Sequence, residues 1–222
     1  MSIAKQSFDK KRQIASLIVN LAIVVLEIIG TRLSILTHGW SMFQYYTIDS
    51  NLLTLAACAV CAAYTAINLK NGTVALPRWV KTLKYLAVCC LAVTFVVVVC
   101  VLSPTSGKGG YRMMLLFGSM LYHHLLCPVL AMLSFLFLEL DPPLPKRHAL
   151  IALIPTLIYA VIILLFNITK AIVGPYPFLH VYEQSVAMSV IWCVIILGGA
   201  YLLAWLILLA GNKATAKWGA AQ

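Results

Sequence analysis

The sequence predicts an all-α integral membrane protein: a bundle of six transmembrane helices, with short loops and both termini in the cytoplasm. Three observations carry this. The 222-residue chain is 63% hydrophobic and only 10% charged, whereas a soluble domain carries roughly a quarter charged residues. Its apolar residues fall in six runs, each near the ~20 residues that a spanning helix needs. Its lysines and arginines alternate between dense and sparse connections, the pattern that sets orientation in a bilayer.

The first run, about 13–35, follows a basic cluster of Lys5, Lys10, Lys11 and Arg12. It is longer than a signal peptide's apolar region, it contains Asn20 and Glu27, and no small-residue cleavage site closes it. It therefore reads as a span. The second run, about 46–69, ends at Asn71-Gly72 and Pro77, and the third, about 79–102, at Ser103-Pro104 and Gly107. The fourth, about 112–138, ends at Asp141-Pro142-Pro143. The fifth, about 148–169, ends at Gly174-Pro175 and Pro177, and the sixth covers about 184–211. These breaks carry turn chemistry. Only helices and closed barrels satisfy the backbone in lipid, and runs this long are helices, because barrel strands would alternate over ~10 residues. Six spans with short loops use up the chain as one domain, 1–222, with no internal repeat.

Orientation follows from charge. One side collects the N-terminal cluster, then Lys70, Arg78, Lys81, Lys84, Lys146, Arg147, Lys213 and Lys217, twelve in all; the other holds Arg32, Lys108, Arg112 and Lys170. Twelve against four places both termini in the cytoplasm. It also accounts for the +10 net charge without a nucleic-acid partner. The seven cysteines all lie in apolar stretches, which argues against a secreted disulfide framework. Cys58 and Cys61 form a C-x-x-C with no second ligand pair, so no metal or other cofactor is expected.

Ionisable residues inside a span default to a functional reading, and here they gather at one depth. Glu27 and Arg32 fall in the outer half of the first span, Asp49 at the outer start of the second, His123 and His124 near the middle of the fourth, and Glu183 at the outer start of the sixth. The inner halves read as almost wholly apolar. On a helix, Thr47, Ser50, Asn51 and Thr54 share one face, as do Ser16, Asn20, Glu27 and Thr31, while Arg112, Ser119, His123 and Cys127 align on the fourth run. Together these faces predict an outward-leaning polar pocket lined by the first, second, fourth and sixth spans. Pro128 has no N–H for the His124 carbonyl four residues earlier, which predicts a kink beside the imidazole.

Three segments carry a family likeness. Tyr45-Tyr46-Thr47-Ile48-Asp49-Ser50-Asn51 resembles the aromatic-Thr-x-x-Ser-Asn motif of bacterial six-span "Pr6Pr-type" membrane proteins. His123-His124-Leu125-Leu126-Cys127-Pro128 resembles their His-three-residues-Pro motif, and Tyr176-Pro177-Phe178-Leu179 their Tyr-Pro-Phe-Leu motif before the last helix. The same landmarks, more diverged, mark the eukaryotic androgen-induced-protein family, six-span hydrolases of fatty acid esters of hydroxy fatty acids. The resemblance implies Thr47 as nucleophile and a histidine as its partner. The animal pattern points to His123, five before the proline, and the bacterial one to His124, four before. The hydrolase branch lacks the Ser50-Asn51 pair in this form. The resemblance further implies a bacterial plasma-membrane protein acting on membrane lipids or an amphiphilic ester.

On that reading a histidine activates the threonine hydroxyl. Asn51, Ser50 or a helix N-terminal N–H would bind the oxyanion. Asp49 or Glu27 would orient the histidine, with Glu183 and Tyr176 supporting the pocket. The bland alternative for Thr47, Ser50 and Asn51 is interhelical hydrogen bonding, at ~0.6 kcal/mol each. The functional alternative is a non-enzymatic membrane protein, either a small transporter or proton-linked carrier using Glu27, Asp49 and the histidines, or a scaffold.

Overall fold

The computed structural model describes residues 3–139 and 143–220, with side chains from residue 9 to residue 217. Lys5 and the Asp141-Pro142 turn thus lie outside the described side chains. The described chain is helical apart from short connections. Helix α1 (Ile3–His38) leads through a 3-10 turn (Gly39–Gln44) into α2 (Tyr46–Asn71). Then follow α3 (Arg78–Thr105), α4 (Gly110–Leu116), α5 (Leu121–Phe137), α6 (His148–Ile168) and α7 (Val186–Ala220). Helices α1, α2, α3, α6 and α7 are each long and apolar enough to cross a membrane, and α4 with α5 makes a sixth candidate only as a pair bent by 86°.

Helix α2 packs between α1 and α3, α3 also meets α5 and α7, and α6 leans on α7. The surface carries many large apolar side chains. Ile18, Val25 and Ile28 on α1, Leu157, Val161 and Leu165 on α6, and Val190 and Val194 on α7 are all exposed. Continuous aliphatic faces of this extent suit lipid and not water, so the fold fits a multi-pass membrane protein. One end of the bundle holds Asn71, Arg78, the described start of α1 and the described end of α7 (the near end). The other holds the 3-10 turn and the loop 174–180 (the far end).

The fourth apolar run is not one continuous helix. It breaks at Phe117–Met120, where Gly118 takes a φ of +55°, a left-handed conformation that glycine alone adopts without a Cβ penalty. Arg112 therefore sits exposed on α4, away from buried Ser119, His123 and Cys127, and the predicted common face does not form.

Pro128 acts differently from the simple kink expected. The turn before it, Leu121–Leu126, widens to π geometry, with the Cys127 N–H bonded to the Tyr122 carbonyl five residues back. In that register the carbonyl that Pro128 cannot serve is that of His123, not His124. The Asn51 side chain fills the vacancy, donating from Nδ2 to the His123 carbonyl at 3.3 Å. A second π turn, Val98–Leu102, likewise precedes Ser103-Pro104. Gly30 of α1 closes against the widened segment: a Cβ there would lie 2.8 Å from His123 Cε1 and 2.9 Å from Tyr122 Cβ. Gly30→Ala is expected to cost about 1–3 kcal/mol, the usual cost of overpacking, read as a lower unfolding temperature in detergent.

The near half is not apolar, contrary to the sequence reading. Lys84 is fully buried and Lys81 nearly so; both are core side chains of α3, not loop charges. Lys84 Nζ donates to Asn20 Oδ1 at 2.6 Å and to Cys58 Sγ at 3.0 Å. Glu139, also buried, accepts from Ser16 Oγ at 2.9 Å, Asn20 Nδ2 at 2.8 Å and Ser134 Oγ at 2.7 Å. Position near a span end made these lysines look like loop residues in the sequence; the helices extend past them.

Candidate functional site

Thr47 stands in the first turn of α2. Tyr45 is extended, and its carbonyl takes the N–H groups of Ile48 and Asp49. The Thr47 N–H has no helical acceptor and donates instead to Tyr176 Oη at 3.4 Å. The Thr47 hydroxyl lies 3.2 Å from His124 Nε2. On the other side of the ring, His124 Nδ1 lies 2.7 Å from the Met114 carbonyl oxygen.

A carbonyl only accepts, so in the neutral ring the proton sits on Nδ1 and the Nε2 lone pair faces Thr47. The Met114 carbonyl is free because α4 ends at Leu116, and a helix's last four carbonyls lack helical partners. The break that removes the predicted face thus supplies the group that fixes the histidine tautomer. Nothing in the side-chain sequence signals this, since the orienting group is backbone.

His123 and His124 are both buried but face different partners. His123 Nδ1 lies 3.4 Å from Glu27 Oε2, and His123 Nε2 lies 3.2 Å from Ser34 Oγ. Glu27 therefore serves His123, not His124. Asn51 Nδ2 donates to the Thr47 carbonyl at 2.7 Å as well as to His123, and Ser50 Oγ donates to the same Thr47 carbonyl and meets Thr94 Oγ1, each at 3.0 Å. Neither is free to bind an oxyanion; both pin the start of α2 to its neighbours. Asp49 lines neither cavity described below. Glu183 is exposed and pairs with His180 Nδ1 at 2.9 Å, remote in role from Thr47.

A cavity of about 390 Å³ opens over the dyad, walled by Ser34, Met42, Tyr45, Thr47, His123, His124 and Tyr176. The end of α3, through Leu102 and Thr105, also lines it, a contribution the sequence reading lacked. A narrow apolar pocket of about 70 Å³ reaches Thr47 and Tyr176 from the other side, between Val93, Val97, Phe178 and Trp192. The last helix contributes here and not to the larger cavity. Burial pushes the Tyr176 phenol up to about 12, so it keeps its proton at neutral pH and can donate. Among the described residues, no group of three or more His, Cys, Asp or Glu side chains could hold a metal ion.

No protein-family model matches the chain, and neither the curated proteins nor the solved structures give a significant match.

Proposed function

We propose that the protein is a six-span membrane hydrolase of amphiphilic lipid esters, with Thr47 as nucleophile and His124 as general base. The observation that carries this is the continuous array Thr47 Oγ1, His124 Nε2, His124 Nδ1 and Met114 carbonyl, at 3.2 and 2.7 Å. It is the nucleophile, base and orienting group of acyl-transfer sites, with a carbonyl in the orienting place. His124 takes the hydroxyl proton as Thr47 Oγ attacks the ester carbonyl, then gives it to the departing alkoxide. The same imidazole activates water to release the acyl group from Thr47. The developing oxyanion is bound by the Tyr176 O–H and by the Thr47 N–H, once that N–H leaves the Tyr176 oxygen it meets at 3.4 Å. Of the donors expected from sequence, the helix N-terminal N–H takes this part and Ser50 and Asn51 do not.

The likeness to the bacterial six-span family and the androgen-induced-protein family supports the assignment of Thr47. Of the two histidines that likeness leaves open, the geometry favours His124. We place the far end, with the cavity, at the outer leaflet of a bacterial plasma membrane and both termini in the cytoplasm. Setting aside buried Lys81 and Lys84, the basic residues still divide ten to four in favour of the near end, as the positive-inside rule requires.

Tyr176→Phe removes one oxyanion donor and is expected to lower kcat about 10²-fold, with KM little changed. The reading as a whole is tested by assaying purified wild type and Thr47→Ala against a panel of lipid esters. Turnover by wild type that the variant lacks is the expected result; a folded wild type inert across the panel would overturn it.

A further inference from the structure

Among the buried ionisable groups with no part in the Thr47–His124 chemistry are Glu27, His123, Lys84 and Glu139. They are not scattered. Helix α1 carries buried polar side chains along its whole described length, at Asp9, Gln13, Ser16, Asn20, Glu27 and Ser34. The spacings of three, four or seven residues keep them on one face, turned into the bundle while the opposite face is aliphatic.

The groups from α2, α3 and α5 that meet this stripe complete a line. At the near end, a small polar cleft lined by Gln13, Thr65, Asn68 and Glu139 opens toward the helix ends. Glu139 bonds to Asn20, and Asn20 to Lys84, whose ammonium also meets the Cys58 thiol. Cys58 and Cys127 lie between Lys84 and Glu27, close enough for each thiol to feel the Glu27 charge. Cys61 also faces Lys84 and Glu139. Neither Glu27 oxygen reaches a full hydrogen bond, although the carboxyl has no exposed surface. Its neighbours are the Cys127 thiol and the His123 ring, and His123 and Ser34 line the far-end cavity.

Structural pairing alone accounts poorly for this arrangement. A buried ion pair often contributes less than an apolar replacement of the same volume, and a carboxyl in a span that meets no full hydrogen bond is costlier still. We propose that this line carries protons between the two ends of the bundle, a second activity separate from ester hydrolysis. One proton enters at the cavity on His123 and passes to Glu27. The Lys84 ammonium gives one proton to the Glu139 carboxylate, and the amine left behind is reloaded by the Cys58 thiol, Cys58 by Cys127, and Cys127 by the protonated Glu27. Glu139 releases one proton into the near-end cleft. No group ends the cycle changed, and one charge crosses per turnover.

The test is proton flux into phosphatidylcholine–phosphatidylglycerol vesicles holding a trapped pH dye, driven by a potassium gradient with valinomycin. Wild type is expected to acidify vesicles several-fold faster than protein-free controls. Glu27→Gln and Glu139→Gln should remove the excess, whereas Asp49→Asn, an acidic site outside the line, should keep it. His123→Gln is a second block should Glu139→Gln not fold, as judged by size-exclusion profile. Folded wild type no faster than empty vesicles, or Glu27→Gln as fast as wild type, overturns the proposal. Ester hydrolysis measured on the same vesicles fails or survives independently.

Discussion

His124→Ala is expected to lower ester turnover by about 10²- to 10⁴-fold, the range a positioned general base contributes. The loss follows from geometry. His124 alone among the described imidazoles faces the Thr47 hydroxyl, at 3.2 Å, and its Nδ1 is committed to the Met114 carbonyl at 2.7 Å. Removing the ring leaves the hydroxyl with no base, and a threonine hydroxyl is a weak nucleophile at neutral pH. His123→Ala is the matched comparison. It sits one residue away and is equally buried, but it faces Glu27 and Ser34. It should slow turnover far less, its cost appearing instead in stability through lost packing against Gly30. Steady-state kinetics of the two variants, each checked for folding, decides between them. Equal losses would remove His124 from its assigned role.

Glu139→Ala is expected to destabilise the bundle by about 3–5 kcal/mol, the usual result of breaking a buried charge network from one side. Glu139 accepts from Ser16, Asn20 and Ser134, and its charge offsets that of fully buried Lys84. Truncation strands the ammonium and three donors in a medium that cannot solvate them. Pairing Lys84→Met with Glu139→Gln removes both charges at once and should cost less than the two single changes added together. Unfolding in detergent followed by helical circular dichroism measures each. Additive losses would mean that Lys84 and Glu139 do not act on one another.

The helical class and the lipid-facing character were legible because they rest on composition and run length. The candidate site was legible in part. The spacing of Thr47, Ser50, Asn51 and Thr54 placed one buried face correctly, and the pairing of a threonine with one of two adjacent histidines was stated from the likeness. The choice between the histidines was not, because it turns on a helix break at Gly118 and a π turn before Pro128. Those features move His123 and His124 off ideal helical angles. The orienting group is a backbone carbonyl, invisible to any motif. Glu27 was expected to orient whichever histidine serves Thr47, and for the same reason it faces His123 instead. The near-end network escaped because lysines close to a span boundary read as loop charges, and only packing of α3 against α1 and α2 shows Lys81 and Lys84 to be interior.

The central claim is that Thr47 is a nucleophile activated where it stands. A fluorophosphonate forms a stable adduct with an activated hydroxyl of this kind. Wild-type protein in detergent should take up one probe per chain, located on Thr47 by peptide mass spectrometry, and Thr47→Ala should take up none. Folded wild type that stays unlabelled, or that carries the label on another residue, contradicts the account.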